Sequence, residues 1–301
     1  MKKLFGVTTS MTTPFDERDM VDVAALEAMT DFSIAKGTDC LYPCGTTGEM
    51  HLMSCEEREL VAETVVRRAA GRVTVFIHTG AMTTKDTIRL AKHAHAIGAD
   101  GIGVVTPSYF NVHDRAMVRF FVDVAQSVPA DFPVYMYGIP QCAGNDLSVD
   151  VAAEVALQAP NIVGVKYSYP DMHKINEFAR INGGDFSVVV GLDRLFLSAL
   201  VIGCSGIVSG VACPLPEPFV NVYKYFREGD LAEAGRWHKI ANETVLCMKA
   251  GADMSILKYG LELRGLRGGG VRKPLLYIDD AEKKRIEKEL RGIADAANIA
   301  L

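Results

Sequence analysis

Eight short runs rich in β-branched residues alternate with longer amphipathic segments along this chain of 301 residues. The runs are Val7–Thr12, Cys40–Cys44, Val73–Thr79, Gly101–Thr106, Pro133–Ile139, Ile162–Ser168, Phe186–Gly191 and Gly206–Val211. Between them lie segments of helical period, namely Val21–Lys36, Ser54–Ala70, Thr83–Ile97, His113–Val128, Ser148–Gln158 and Asp171–Ile181. Each pair of neighbouring parallel strands needs a crossover connection of helix length. The alternation therefore predicts an α/β fold in which eight strands close into a (β/α)8 TIM barrel.

The pattern changes near the C-terminus. Pro214, Pro216 and Pro218 interrupt it, and only helical segments follow. We expect residues 1–225 to form the barrel and residues 226–301 to form a C-terminal helical extension packed on it. The glycine-rich segment 264–273 lacks the strand–loop–helix context of a phosphate-binding loop. It therefore predicts a flexible connection between helices with exposed charges.

Composition excludes several classes of protein. The net charge is −5, with 32 Lys and Arg against 37 Asp and Glu, and no basic run indicates a nucleic-acid partner. No stretch approaches the roughly 18 apolar residues of a membrane span, and no signal peptide begins the chain. The seven cysteines are odd in number and form no short-range framework, which indicates reduced, buried structural thiols. We expect a soluble protein of the cytoplasm without membrane contact.

Lys166 stands out because it lies within the apolar run Ile162–Ser168. Catalytic groups of TIM barrels lie at the C-terminal ends of the strands. A lysine buried there loses hydration, which favours the neutral amine, the nucleophile that forms a Schiff base. The alternative is a strand-end lysine whose amine simply reaches solvent, and position alone does not choose between the two.

Hydroxyl groups end the neighbouring runs. In Gly45-Thr46-Thr47-Gly48, hydroxyls and backbone N–H groups between two glycines can hold a carboxylate, although an ordinary turn gives the same pattern. Tyr109 and Tyr137 can transfer protons between a substrate and water. Together with Lys166, these groups predict imine chemistry on a 2-oxo acid.

Four segments in this order and spacing resemble the family of dihydrodipicolinate synthase and N-acetylneuraminate lyase, over essentially the whole chain. They are Gly45–Glu49, Thr106–Tyr109, Tyr137–Pro140 and Gly164–Lys166. The resemblance implies that Lys166 forms an imine with pyruvate or a related 2-oxo acid and that Tyr137 exchanges protons with it. It also implies that Thr46 relays protons, while Thr47 and the adjacent N–H groups, including that of Gly48, bind the carboxylate. Tyr109 resembles the residue that reaches into a neighbouring subunit, so a homotetramer built of two tight dimers is implied. No metal and no organic cofactor is implied.

The substrate pocket departs from both branches of this family. Cys142 stands where the synthases usually carry an arginine, and a thiol cannot supply a bidentate grip on a carboxylate. Gly191, Asp193 and Ser209 match positions that meet the sugar chain in the lyases, but Arg194 replaces an acidic residue there. A cation at this place suits a distal carboxylate or a different polyol tail, and an exposed surface charge is the alternative.

We therefore expect a lyase or aldolase that reversibly joins pyruvate and an aldehyde and acts on a deoxy-2-oxo sugar acid. Three alternatives stay open. They are a 4-hydroxy-tetrahydrodipicolinate (dihydrodipicolinate) synthase, a sugar-acid dehydratase and a catalytically silent binding or regulatory homologue. The presence of Lys166, Tyr137, Tyr109 and Thr46 argues against the silent homologue. Cleavage and dehydration begin at the same imine, so the sequence does not separate them.

Overall fold

A computed structural model describes residues 1–301, and its strands form one closed parallel barrel in the order β1 to β8. The strands are Gly6–Ser10 (β1), Cys40–Tyr42 (β2), Thr74–His78 (β3), Gly101–Val105 (β4), Val134–Gly138 (β5), Ile162–Tyr167 (β6), Ser187–Val190 (β7) and Gly206–Ser209 (β8). Each lies inside one of the eight predicted runs or extends it by a single residue. The predicted TIM barrel is confirmed.

Twelve α-helices accompany the strands. They are Val23–Ala35 (α1), Cys55–Ala69 (α2), Thr84–Ala96 (α3), Asp114–Gln126 (α4), Pro140–Ala143 (α5), Val149–Gln158 (α6), Met172–Phe178 (α7), Phe196–Val201 (α8), Glu217–Arg227 (α9), Leu231–Cys247 (α10), Met254–Leu263 (α11) and Asp280–Ala297 (α12). Four 3-10 helices are Met50–Leu52, Ile181–Gly184, Asp193–Leu195 and Lys249–Gly251. None of the helices combines the length and the apolar character needed to cross a bilayer.

Local sequence signals set the ends of the helices. Ser54 and Glu57 form a reciprocal capping box at the start of α2, which satisfies two otherwise free N–H groups. Gly37, Gly98 and Gly203 adopt positive φ just after α1, α3 and α8 and lead into the next strand. Such short connections fix the register in which the chain returns to the barrel.

One predicted helix is too long. The segment Asp171–Ile181 was expected to be helical throughout, but α7 ends at Phe178. The chain then forms a 3-10 turn in which Asn182 and Gly183 have φ values of 53° and 66°, a left-handed conformation that ends a right-handed helix.

The interior of the barrel is filled with side chains. Phe76 of β3 and Tyr135 of β5 meet edge to face with ring centroids 5.4 Å apart, although their strands are not neighbours. They belong to a buried cluster with Leu4, Cys40, Tyr42, Val163, Val189 and Val208. This layer fills the barrel on the N-terminal side of the strand ends, so a substrate has access only from the C-terminal ends of the strands.

Helix α12 packs against α10 and α11, and α10 packs against α9. Within segment 264–273, Arg267 is exposed as predicted, but the prediction of exposed charges is wrong for two other arginines. Arg264 is buried in an ion pair with Glu217 at 2.5 Å, and Arg272 pairs with Glu57 of α2. Acidic residues elsewhere in the chain draw both guanidinium groups inward. The boundary between residues 225 and 226 stays a prediction.

All seven cysteines are free thiols. Five are buried as predicted, but the prediction is wrong for Cys55, which is partly exposed, and for Cys142, which is exposed. Cys142 lies in the short helix α5, directly after β5, where the chain faces the opening of the barrel. Its surroundings are therefore those of a pocket residue rather than of a core residue.

Candidate active site

Lys166 lies near the end of β6 and is only 4% exposed. Its register partners are Tyr137 on β5 and Val189 on β7. The lysine Nζ lies 3.9 Å from the centroid of the Tyr137 ring and 4.8 Å from that of Tyr42. The amine is thus enclosed by two aromatic rings, and it does not extend into solvent.

Tyr137 and Ser168 complete the immediate surroundings of the amine. The Ser168 hydroxyl donates to the Tyr137 hydroxyl over 3.5 Å, a long hydrogen bond. Gly191, which follows β7, has no side chain and so leaves room for the side chains of Ser168 and Lys166. A β-carbon at Gly191 would lie 1.8 Å from the Ser168 Oγ and 3.3 Å from the Lys166 Cε. The ends of β5, β6 and β7 therefore bring a phenol, a hydroxyl and an amine into one contact group.

The Gly45–Glu49 loop follows β2. Its backbone turns on itself, since the N–H of Gly48 donates to the carbonyl of Gly45 and that of Glu49 to the carbonyl of Thr46, both over 3.0 Å. The N–H of Gly48 is therefore already engaged, contrary to the expectation that it binds the carboxylate. The N–H groups of Thr46 and Thr47 donate to no protein group. The Thr46 hydroxyl is also buried without a hydrogen-bond partner. Two free N–H groups beside a hydroxyl form a cradle that suits an anion such as a carboxylate.

Asp193 and Ser209 lie at the ends of β7 and β8. Burial raises the pKa of the Asp193 carboxyl to about 7, while the nearby Ser209 hydroxyl and the positive charge of Lys166 act in the opposite direction. One carboxylate oxygen, Oδ1, is buried and lacks a partner. The carboxyl of Asp193 is thus close enough to Ser209 and Lys166 to be influenced by both, and its Oδ1 is free to accept a hydrogen bond.

Arg194, by contrast, is exposed and forms no ion pair. Its backbone carbonyl accepts a hydrogen bond from the Nε2 of His238 over 3.2 Å. The guanidinium does not line the main cavity described below. The predicted contact between Arg194 and a substrate stays a prediction.

Tyr109 does not meet the other candidate residues of its own chain. It has a φ of 73° and is 83% exposed, and its ring packs edge to face on that of Phe110, which is also exposed. The left-handed backbone directs a large apolar side chain away from the barrel. The predicted role of Tyr109 in a neighbouring subunit stays a prediction.

A cavity of about 720 Å³ opens at the top of the barrel beside Thr46. Most of the residues that line it are apolar, and neither lysine nor arginine is among them. Representative lining residues are Thr46, Met50, Ile139, Cys142, Met254 and Leu275. Cys142 therefore contributes a thiol to the cavity wall, and no lining residue supplies the cation that would bind a second carboxylate.

Two further aromatic residues lie beside the site: sequence reasoning missed Tyr42, and it placed His78 near a strand end as a residue that could line the pocket but more often has a structural role. Tyr42 is fully buried, and its ring centroid lies 5.9 Å from that of His78, which in turn lies 6.0 Å from that of Tyr137. Burial, followed by the charge of Arg58, holds the pKa of His78 well below its usual value. The two-residue alternation from Cys40 along β2 is the signal that points Tyr42 into the barrel.

Comparison with known proteins gives one consistent family. The sequence profile of the Dihydrodipicolinate synthetase family matches residues 3–293. A 4-hydroxy-tetrahydrodipicolinate synthase of Methanoculleus marisnigri is 32% identical over 288 residues, which cover 95% of this chain and 98% of the relative. An N-acetylneuraminate lyase of Mediterraneibacter gnavus is 29% identical over 300 residues, covering 98% and 94% respectively.

Solved structures agree with this result. A catalytic-lysine mutant of the Ruminococcus gnavus sialic acid aldolase superposes with a TM-score of 0.93 at 28% identity and covers 100% of both chains. YagE of Escherichia coli K12, a member of the dihydrodipicolinic acid synthase family solved in complex with pyruvate, gives a TM-score of 0.91 at 28% identity. That match covers 96% of this chain and 98% of YagE. Both substrate branches are therefore about equally similar to the chain.

Proposed function

The chain belongs to the dihydrodipicolinate synthetase family, and we propose that it joins and cleaves pyruvate and an aldehyde through an imine on Lys166. The family consists of pyruvate-dependent Schiff-base lyases, so the chain is a carbon–carbon lyase of the class I aldolase type. The observation that best supports Lys166 as the nucleophile is its enclosure. Its Nζ lies 3.9 Å from the Tyr137 ring inside a barrel that opens only above it.

In the proposed reaction, the neutral Lys166 amine attacks C2 of pyruvate and forms a carbinolamine. Tyr137 supplies the proton with which the C2 hydroxyl leaves as water, and the protonated imine remains. Loss of a proton from C3 to the resulting Tyr137 phenolate gives an enamine, whose C3 attacks the carbonyl carbon of the aldehyde to form the new carbon–carbon bond. The aldehyde oxygen takes up the proton held by Tyr137 and becomes a hydroxyl, and water then hydrolyses the product imine and frees the Lys166 amine. Cleavage is the reverse sequence. The imine itself is the electron sink, so we propose that neither a metal nor an organic cofactor takes part.

The pyruvate carboxylate is proposed to bind the Gly45–Glu49 loop. Thr47 and the free N–H groups of Thr46 and Thr47 are proposed to hold it, and these N–H groups would otherwise stay unsatisfied. The unpartnered Thr46 hydroxyl is proposed to relay protons. Ser168, which contacts Tyr137, orients the phenol that exchanges protons with the imine.

For the aldehyde half we propose a polyhydroxylated chain, so that the substrate of cleavage is a deoxy-2-oxo sugar acid. The support is the group of hydrogen-bonding side chains at the ends of β7 and β8, where Asp193 Oδ1 is buried without a partner and Ser209 lies beside it. A synthase of the dihydrodipicolinate type is less well supported, because Cys142 supplies no charge for a second carboxylate. Arg194 is exposed and can meet a distal carboxylate only if a long substrate extends that far.

The assembly and the compartment also stay proposals. We propose a homotetramer of two tight dimers in the cytoplasm. The support for the dimer is a complementary pair of surfaces: Tyr109 and Phe110 project from the chain, and an apolar cavity lies beside Thr46. A partner's tyrosine in that cavity would give the unpartnered Thr46 hydroxyl a hydrogen bond.

The test is covalent trapping. Incubation of the protein with pyruvate and borohydride, followed by intact mass and peptide mapping, should place one pyruvyl adduct on Lys166. Lys166→Met should abolish the adduct, whereas Lys174→Met, which removes a lysine ion-paired to Asp146, should keep it. An adduct spread over several lysines, or none on folded protein with any 2-oxo acid, would refute the proposal.

Product analysis then separates the alternatives. Release of pyruvate from a panel of deoxy-2-oxo sugar acids supports the lyase. Loss of water with the carbon chain intact supports a dehydratase, and consumption of aspartate semialdehyde with pyruvate supports the synthase. Binding of pyruvate without an adduct or turnover would indicate the silent homologue.

A further inference from the structure

Glu49, the last residue of the carboxylate-binding loop, has an unusual backbone conformation. Its φ is 59°, in the left-handed region that residues other than glycine seldom adopt. Such a conformation persists only where surrounding contacts hold it, and it often marks a functional site. Glu49 is also buried, although its side chain carries a carboxylate.

The partner of Glu49 comes from the C-terminal part of the chain. Lys258 of α11 places its Nζ 2.5 Å from the Glu49 Oε1, and the two side chains are 0% and 1% exposed. The other carboxylate oxygen accepts the backbone N–H of Arg272 over 3.0 Å. Lys258 also donates to the carbonyl of Gly270 over 2.5 Å. Because both ions have lost their hydration, each depends on the other for compensation.

Arg272, whose backbone N–H binds Glu49, also contacts the residues that follow the loop. Its guanidinium donates to the carbonyl of Leu52 over 2.8 Å and pairs with Glu57 at the start of α2. Glu49 immediately precedes the 3-10 helix Met50–Leu52, and Leu52 ends it. The two cations therefore bind both ends of the short helix that follows the loop. The Phe15 ring lies beside both of them, 4.5 Å from the Lys258 Nζ and 4.2 Å from the Arg272 Cζ.

We propose that Glu49, Lys258 and Arg272, here called the loop anchor, are positioning residues that hold the N–H groups of Thr46 and Thr47 in the geometry required by the substrate carboxylate. The loop anchor touches no reacting atom, and it acts through the backbone of the loop. Lys258 of α11 and Arg272 of the segment between α11 and α12 thereby set the affinity of a site built on the barrel. This inference rests on the proposed function of the loop.

The experiment measures borohydride trapping as a function of pyruvate concentration. In the double variant Glu49→Gln/Lys258→Met, both buried charges are removed together, so that neither ion is left unpaired. The half-saturating pyruvate concentration should rise at least about tenfold, as expected when a hydrogen bond to a charged group is lost. The plateau of trapping at saturating pyruvate should stay at the wild-type level, because Lys166 and Tyr137 are unchanged.

The matched control is Glu217→Gln/Arg264→Met, which removes a buried ion pair between the start of α9 and the residue that follows α11, and which includes no residue of the loop anchor. This control should lower Tm about as much as the anchor variant does, but it should leave the half-saturating pyruvate concentration unchanged. A milder variant, Glu49→Asp, keeps the charge but shortens the side chain, so it must also raise half-saturation if the double variant does not fold.

Two results would overturn the proposal. One is a folded anchor variant, or Glu49→Asp, with wild-type half-saturation. The other is a control that shifts half-saturation as far as the anchor variants do. If the wild-type protein itself forms no adduct, the proposed function fails instead, so the two failures are distinguishable.

Discussion

The raised pKa of Asp193 predicts a specific pH dependence of stability. Burial raises this pKa from an ordinary 3.8 to about 7. Between these two pH values the folded state holds a proton that the unfolded chain has released. The free energy of unfolding must therefore fall as pH rises from about 4 to about 7, and this contribution becomes constant above that range.

The magnitude follows from the size of the interval. Each pH unit within this interval lowers the free energy of unfolding by about 1.4 kcal/mol. The whole interval corresponds to at most about 4 kcal/mol, and partial solvent contact at the mouth of the barrel reduces this to about 2–4 kcal/mol. Asp193→Asn keeps the shape and the hydrogen-bonding capacity but cannot ionise. The variant should therefore gain about 2–4 kcal/mol relative to wild type between pH 4.5 and pH 8.

The assay is urea unfolding followed by circular dichroism at a series of pH values. Other carboxyl groups titrate in both proteins and cancel in the difference between them. Asp185→Asn is the control, because this exposed carboxyl pairs with Lys3 and has a lowered pKa. Its difference from wild type should change little above pH 5. A difference for Asp193→Asn that is independent of pH, or that falls as pH rises, would refute the assignment of a buried, protonated carboxyl.

Three further substitutions test the packing of the site. Tyr137→Phe keeps the ring but removes the proton donor, so the trapping rate at saturating pyruvate should fall by about 100-fold or more in rapid-quench experiments; an unchanged rate would exclude the phenol from imine formation. Gly191→Ala places a methyl group 1.8 Å from the Ser168 Oγ, so it should slow trapping while far-ultraviolet circular dichroism stays native. Gly103→Ala places a methyl group 1.8 Å from a buried tyrosine hydroxyl and should cost about 1–3 kcal/mol or more in urea unfolding. Gly292→Ala, on a helix surface with nothing within 4 Å, should instead stabilise by up to about 1 kcal/mol, and equal losses at both glycines would contradict the packing argument.

The loop anchor shows why some parts of the site escape sequence reasoning. The sequence predicted segment 264–273 to be an exposed connection, since glycine runs and charges usually lie on surfaces. In the folded chain, Arg272 forms an ion pair with Glu57, which lies 215 residues earlier in the sequence, and Lys258 forms a buried ion pair with Glu49. Neither pairing leaves a local pattern, because each depends on how the last helices dock onto the first turns of the barrel.

The sequence by itself determined the alternation of strands and helices, and with it the barrel and the strand ends that carry Lys166 and Tyr137. Periodicity and apolar runs act over a few residues, and parallel strands admit few closed arrangements, so this level of structure follows from local patterns. Only the tertiary structure decided that Tyr42 encloses the amine, that His78 packs against Tyr42 and Tyr137, that Arg194 stays exposed and that burial raises the pKa of Asp193 to about 7. Burial and electrostatic environment are set by residues distant in the chain, and no short segment of sequence encodes them.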